Sequence, residues 1–437
     1  MIDTITLGYL GVFVMLGLAL AGIPLAYAMS GVATVGLITT LGFYGAATQN
    51  ILLAWEQSTS FSLMTIPLFI VMGSLAYHTG IVADLFDATR KWIGNVPGGL
   101  AVAGVIASAA FGAVTGSTAA SVATMSNTVL PELKRFKYDV DLSAGSVAAS
   151  GGLAAIIPPS VFIIIFCVLT DQSIGELFIA TIGPGLLVTA LFCLYILIRC
   201  AITPSKGPTG PKCSWQERLA CLPSSVPVIV VFGIVIGGIY AGLATPTEAS
   251  AMGCVGVMVI ALCMRRLNIK NLRLAFIDSA KLSAVILFLI IGGWLMSRFL
   301  VTTGTTHHMV DFIVGMNMSY YGLVGVMFLL FLVLGCVLES TSILILTMPF
   351  LFPITQAYGL SPAWFGIFVT MMMVLAGITP PVGLNVFVLH GVCPEIPITL
   401  IFKGALPFIA IMIISLAVTT IFPDVVLWLP RHMMGTH

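Results

Sequence analysis

Four short stretches interrupt an otherwise apolar chain, and their residue types suit the binding of a small hard cation and an anionic group. Gly116-Ser117-Thr118 and Glu339-Ser340-Thr341-Ser342 set hydroxyls, one carboxylate and flexible backbone where a continuous membrane helix would carry Leu or Ile. Pro158-Pro159 and Pro380-Pro381 each remove two backbone donors in a row and push the preceding residue out of the helical region. Free carbonyls and amides at membrane depth are tolerated only inside protein or beside a polar cavity. Unwound backbone around Ser117–Thr118, Gly151–Ile157, Ser340–Thr341 and Gly377–Thr379 offers the oxygen ligands a hard cation wants. Half-helices beginning after the two tips, near Ala119 and Ile343, aim positive dipole ends at the same places, which would welcome a carboxylate.

The stretches come in register. Pro131 recurs as Pro353 and Pro158-Pro159 as Pro380-Pro381, at an offset of 222 residues, while Gly112 to Gly335 and Ser117 to Ser340 are each 223. A single-residue indel reconciles the two. Interrupted apolar segments at matching places in two halves point to the binding site of a secondary transporter.

The elements needed to position these residues follow from composition. The 437 residues are 59% hydrophobic and 8% charged, with a mean hydropathy of +1.14, which excludes an ordinary soluble domain. That length holds about ten to twelve crossings of roughly 20 residues each. A net charge of +1 speaks against a nucleic-acid binder. The nine cysteines lack C-x-x-C spacing and read as small apolar packing residues. Asp3 and the lack of Lys or Arg before the first apolar run argue against a cleaved signal peptide.

The expected fold is an all-α polytopic membrane protein made of two inverted repeats, residues 1–198 and 226–437, joined by a cytoplasmic linker at 199–225. Each repeat contains a re-entrant helical hairpin (98–131 and 323–357) and a proline-broken transmembrane helix (142–169 and 364–389). Crossings are expected at Ile5–Ala26, Met29–Tyr44, Phe61–Tyr77, Leu177–Leu197, Val226–Tyr240, Ala249–Met264, Leu282–Leu300 and Ile398–Ile421. Ile81–Ile93 and His307–Val314 are amphipathic and are expected to lie along the surface. Under this topology 15 of the 17 Lys and Arg residues fall in one set of loops, leaving only Arg298 and Arg431 opposite. The positive-inside rule makes those loops cytoplasmic and places both termini on the periplasmic side.

Several motifs together resemble the large membrane subunit of the tripartite ATP-independent periplasmic (TRAP) transporters over essentially the whole chain. They are T-G-S-T-A-A-S-V-A-T at Thr115–Thr124, I-I-P-P-S at Ile156–Ser160, A-T-P-T-E-A at Ala244–Ala249, and G-I-T-P-P-V-G-L-N-V-F at Gly377–Phe387. The resemblance implies a sodium-driven elevator transporter in a bacterial inner membrane. It would work with a small membrane subunit of about four helices and a periplasmic solute-binding protein. The chain begins directly with large-subunit helices, so the small subunit is expected from another gene. The solute would be an organic acid of the C4-dicarboxylate, sugar-acid or sialic-acid type. No Walker A motif is present, in keeping with an ATP-independent family.

With sodium as the coupling ion, the expected cation ligands are Ser117, Thr118, Gly152, Ile156, Glu339, Ser340, Thr341, Gly377 and Thr379, one site per repeat between a hairpin tip and its broken helix. Ser117, Pro158, Pro159, Ser160, Pro380, Pro381 and Asn385 are expected to shape the solute site, and Thr118 and Thr341 could donate to it as well. No enzyme activity and no transition metal is expected. Glu339 is the only acid at a hairpin tip and reads either as a cation ligand or as a gate or structural cap in an aqueous cavity. Glu248 reads as the third helical residue of a capping box opened by Thr245. Arg298 reads as a snorkelling helix-end residue or a carboxylate partner, and His307 and His308 as interfacial. The rival within transport is a stand-alone sodium-coupled carboxylate symporter that needs no binding protein. An intramembrane protease would need a catalytic pair, and His78 and His390 have no evident partner for one.

Overall fold

The structure is a computed structural model that describes residues 3–211 and 213–434; Lys212, counted above among the basic loop residues, lies outside them. The described residues form helices and loops without a strand. Among the described residues, seven helices are long and apolar enough to cross a membrane: Leu25–Thr59, Val140–Thr170, Ile174–Ile202, Pro246–Cys263, Ile269–Thr302, Ser340–Ala357 and Ile398–Ile421. Shorter apolar helices include Gly99–Thr115, Tyr320–Gly335 and Pro362–Ile378. At about 1.5 Å per residue a 17-residue helix spans about 25 Å, short of the roughly 30 Å hydrocarbon core. Two of these three are hairpin arms and the third is half of a broken helix.

The first hairpin joins Gly99–Thr115 to Thr118–Arg135, and the second joins Tyr320–Gly335 to Ser340–Ala357. In the first, Ser108 and Ser121 hydroxyls meet at 3.1 Å across the arms. The broken helices run Val140–Gly151, Leu153–Ile156 and Val161–Thr170 in the first half, and Pro362–Ile378 then Leu384–Val392 in the second. Every residue from Ala363 to Ile378 is buried, so this segment forms the centre of the molecule. Beyond each break the chain crosses to the other half. Phe166, past the first break, packs edge-on against Phe352 of the second hairpin with ring centroids 6.1 Å apart. The helix past the second break ends at Cys393, whose thiol lies 3.9 Å from the Ser126 carbonyl of the first hairpin.

The two segments expected to be amphipathic arms are helices, Ile81–Ile93 and Thr305–Gly315. Each starts behind a left-handed glycine, Gly80 (φ 69°) and Gly304 (φ 75°). In the first arm Asp84 occupies the first turn and Arg90 and Lys91 the last, which complements the helix dipole. The capping box at Thr245 is present: its hydroxyl accepts from the Glu248 amide and the Glu248 carboxylate accepts from the Thr245 amide.

Three segments go beyond the sequence expectation. The second crossing extends past Tyr44 to Thr59 and folds back at Gly42 (φ 73°, ψ 169°); Asn50 Nδ2 donates to Thr34 Oγ1 at 2.9 Å, sixteen residues away. Only glycine takes that backbone conformation readily. The linker, for which the sequence offered no contacts, is fastened to the first half: Gly98 N donates to Gly207 O, Asp139 N to Lys206 O, and Gly210 N to Gly94 O. Lys206 also pairs with Asp139 at 3.0 Å. Finally, a helix at Asp424–Met434 follows the last crossing.

Candidate functional site: two hairpin tips against two helix breaks

Each hairpin tip sits against the broken helix of its own half through the same contact. A Cβ on Gly112 would lie 2.6 Å from Ala154 Cα, and one on Gly335 would lie 2.7 Å from Ala376 Cβ. Ala154 and Ala376 are 222 residues apart, the same offset as the proline pairs. Small residues let these backbones touch, which is how helices associate closely in lipid.

At the first tip, Gly116 takes a left-handed conformation (φ 58°), and a Cβ there would lie 2.7 Å from Pro159 O. Ser117 is extended and caps the following helix, its hydroxyl accepting from Ala120 N at a long 3.4 Å. In the adjoining break the Gly152 amide donates to Ala149 O, one residue short of the regular ladder. The Ala148 carbonyl this leaves accepts instead from Asn385 Nδ2 at 3.2 Å. Pro158, Pro159 and Ser160 are buried. The Ser160 hydroxyl donates to Ala155 O and accepts from Ile163 N, so it caps its own half-helix. Gly152 O is engaged by Ala155 N. Among the described residues, no hydrogen bond reaches the carbonyl oxygens of Ile156, Ile157, Pro158 or Pro159.

At the second tip, Glu339 is exposed and caps the helix Ser340–Ala357. One carboxylate oxygen accepts from Thr341 N (2.9 Å) and Thr341 Oγ1 (2.7 Å). The other accepts from Ser342 N (3.1 Å) and Ser342 Oγ (3.3 Å). Ser340 Oγ donates to Met373 O, and the Cys336 thiol to Pro380 O, tying the tip to the second broken helix. Thr379 Oγ1 donates back to Leu375 O. Pro380 and Pro381 are exposed. No hydrogen bond among the described residues reaches the carbonyls of Gly377, Ile378 or Thr379. Both Pro-Pro bonds are cis.

The arrangement therefore presents two clusters of unpaired carbonyl oxygens, each beside hydroxyls and the N-terminus of a tip helix. Such oxygens suit a hard cation, and each helix N-terminus suits an anionic group. Among the described residues, no three His, Cys, Asp or Glu side chains gather as a metal cluster. Asn385 is 2% exposed and lies against both Gly152 and Gly377, so it links the two breaks directly. Sequence reasoning placed Asn385 in the site but had no signal for its bond to Ala148, 237 residues away. It also missed the cavity of about 170 Å³ between Ser117 and the crossings, lined by Ser74, His78, Asp278 and Ser279. There His78 Nε2 meets Asp278 Oδ2 at 2.9 Å.

A bundle of apolar helices in which two helical hairpins close on two broken helices defines a polytopic, all-helical membrane protein. The chain belongs to the family described as the tripartite ATP-independent periplasmic transporter DctM component, whose sequence profile matches residues 10–425. It is 30% identical over 400 residues to a C4-dicarboxylate TRAP transporter large permease protein of Pseudomonas aeruginosa, covering 91% of this chain and 93% of that one. Similarity extends to an ectoine TRAP transporter large permease protein of Halomonas elongata (30% identical, 95% and 97% covered). A sialic acid TRAP transporter large permease protein of Vibrio cholerae is 29% identical, with 97% and 98% covered. Among solved structures, the YdaH transporter of Alcanivorax borkumensis shares the fold at a TM-score of 0.61 and 13% identity, over 87% of this chain and 88% of that one. The chain is thus a TRAP-type large permease subunit and a multi-pass membrane protein of a bacterial transporter.

Proposed function

We propose that the chain is the permease of a sodium-driven, binding-protein-dependent importer that carries an organic acid across the bacterial inner membrane. The observation that carries this reading is the pair of unpaired-carbonyl clusters at Ile156–Pro159 and Gly377–Thr379, each closed by a hairpin tip with hydroxyls. Sodium is held on these carbonyls together with Ser117 and Thr118 in one half and Ser340, Thr341 and the charge of Glu339 in the other. The solute carboxylate sits at the tip-helix N-termini beside the two proline pairs. The hairpins and broken helices (about 98–169 and 323–389) move together as an elevator against the remaining helices, with Ile81–Ile93 and Thr305–Gly315 as the joints. A small membrane subunit and a periplasmic solute-binding protein complete the complex, in keeping with the similarity to large permease proteins of TRAP transporters. Both termini face the periplasm.

The test is uptake by the reconstituted complex with its binding protein. A sodium gradient is expected to drive solute accumulation, with potassium unable to replace it. Equal uptake under a proton gradient alone would sink the sodium reading.

A further inference from the structure

The helix Ile269–Thr302 has 34 residues, about 51 Å at 1.5 Å per residue, against a hydrocarbon core of roughly 30 Å. With its Arg298 end at the periplasmic boundary, the surplus of about 20 Å falls on its first 14 or so residues. This overhang ends near Lys281. The buried side of the stretch carries Ala275, Ser279, Ser283 and Ile286. At about 100° per residue, Lys270, Arg273, Ile277 and Lys281 fall on the opposite side, and all four are exposed. Val285 and Phe288, also exposed, carry that side onward into the apolar crossing. Such a face, apolar within the bilayer and basic just outside it, runs from acyl chains to headgroups.

The other charges around this face are matched. Arg266 pairs with Asp84 at 2.7 Å and donates to Gly80 O. Asp278, the one acid among residues 265–281, is engaged by His78 at 2.9 Å. Lys270, Arg273 and Lys281 make no ion pair among the described residues. The corner before them is held in place: Asn268 caps the helix at Asn271 N, and Asn271 Nδ2 donates to Arg266 O. Unanswered cations on one fixed stripe of a lipid-facing helix complement an anionic phosphodiester.

We propose that the stripe Lys270–Arg273–Lys281 is a headgroup site for an anionic phospholipid of the cytoplasmic leaflet, which it takes in preference to zwitterionic lipid. The cytoplasmic placement rests on the proposed topology; sodium coupling and the solute do not enter. Arg273 and Lys281 hold the phosphate from either side of Ile277, and Lys270 adds charge one turn farther out. A lipid fits better than a soluble anion because exposed Leu274 and Ile277 stand between the cations, where the glycerol and upper acyl carbons cover them.

The test is native mass spectrometry of the chain in complex with its small subunit, titrated with dioleoylphosphatidylglycerol or dioleoylphosphatidylcholine. Neither sodium nor solute is present, so failure here and failure of the uptake experiment are distinguishable. Phosphatidylglycerol is expected to bind about tenfold more tightly than phosphatidylcholine. At about fivefold per cation, Lys281→Gln alone weakens phosphatidylglycerol by about fivefold. Combining Lys270→Gln, Arg273→Gln and Lys281→Gln abolishes the preference. Lys134→Gln with Lys137→Gln, at two exposed cations in another loop of the same side, leaves it intact. Melting temperatures of all variants are recorded to exclude misfolding. Equal affinity for the two lipids, an unchanged preference in the folded triple variant, or the same loss in the Lys134, Lys137 variant overturns the proposal. Displacement by inorganic phosphate at the concentration of the lipid also overturns it, as the mark of a soluble-anion site. So does a preference that shows only once the small subunit is removed, as the mark of a protein interface.

Discussion

The two tip-and-break pairs share a backbone plan and differ in what surrounds it. In the first half Gly116 and the run Pro158–Ser160 are buried, and the Ser160 hydroxyl is committed to holding the chain at the break. In the second half Val337, Glu339, Pro380 and Pro381 are exposed, and the tip carries a full negative charge. The glycine that gives the first tip its sharp turn corresponds to Glu339 in the second. Both halves share the close glycine–alanine contact; the first adds a second close approach at Gly116, and the second adds capping by a carboxylate. A backbone plan that occurs twice does not imply the same chemistry twice, because the contact of each tip with the broken helix of its own half needs only small residues while the rest of the tip is free to differ.

The sharpest way to break this contrast is Gly116→Ala. The left-handed backbone disfavours Ala by about 1–2 kcal/mol, and the added methyl would lie 2.7 Å from Pro159 O. A clear fall in melting temperature with loss of uptake is expected, whereas the exposed Val337→Ala in the second tip stays within roughly 0.5 kcal/mol. Wild-type melting and uptake in Gly116→Ala would show that the first tip is not held by backbone contact.

Asn385→Leu comes next, because it strips the donor from Ala148 O at the point where the two breaks meet. A buried carbonyl left unpaired costs about 1–3 kcal/mol. Sodium titrations of uptake should also shift, since the strut touches both breaks. Unchanged stability and sodium dependence would mean that the halves operate without it.

The smallest expected effects separate the two caps. Glu339→Ala removes an acceptor of four hydrogen bonds and should cost about 1 kcal/mol. Ser117→Ala loses a single contact of 3.4 Å and should cost only a few tenths of a kcal/mol, near the low end for caps. Melting curves of both variants decide it, and equal losses would erase the contrast. Glu339→Gln then isolates the charge: a raised sodium requirement with little change in melting supports a cation role.

Much of this was legible in the chain. The amphipathic arm was expected at Ile81–Ile93 and is observed there. The tips fall at Gly116–Ser117 and at Cys336–Glu339, close to their expected places. Such helix bounds and breaks can be read from the sequence because periodicity, glycine and proline act locally. The fold-back at Gly42 escaped notice, since one glycine in an apolar run carries little signal until something packs against the returning segment, here through Asn50 and Thr34. What holds the linker is not visible in its Pro, Gly and Ser content either: its backbone is hydrogen-bonded to Gly94, Gly98 and Asp139.

What the sequence determined by itself was where the helices must break and that the breaks are paired, because proline removes donors and glycine permits turns wherever they stand. Which carbonyls remain free was decided only in three dimensions. Ala148 is answered by Asn385 from the other half and Pro380 by Cys336 from the neighbouring tip, while Ile156 and Gly377 are answered by nothing among the described residues. The availability of an oxygen depends on which distant donors the fold brings to it, and no local spacing along the chain encodes that.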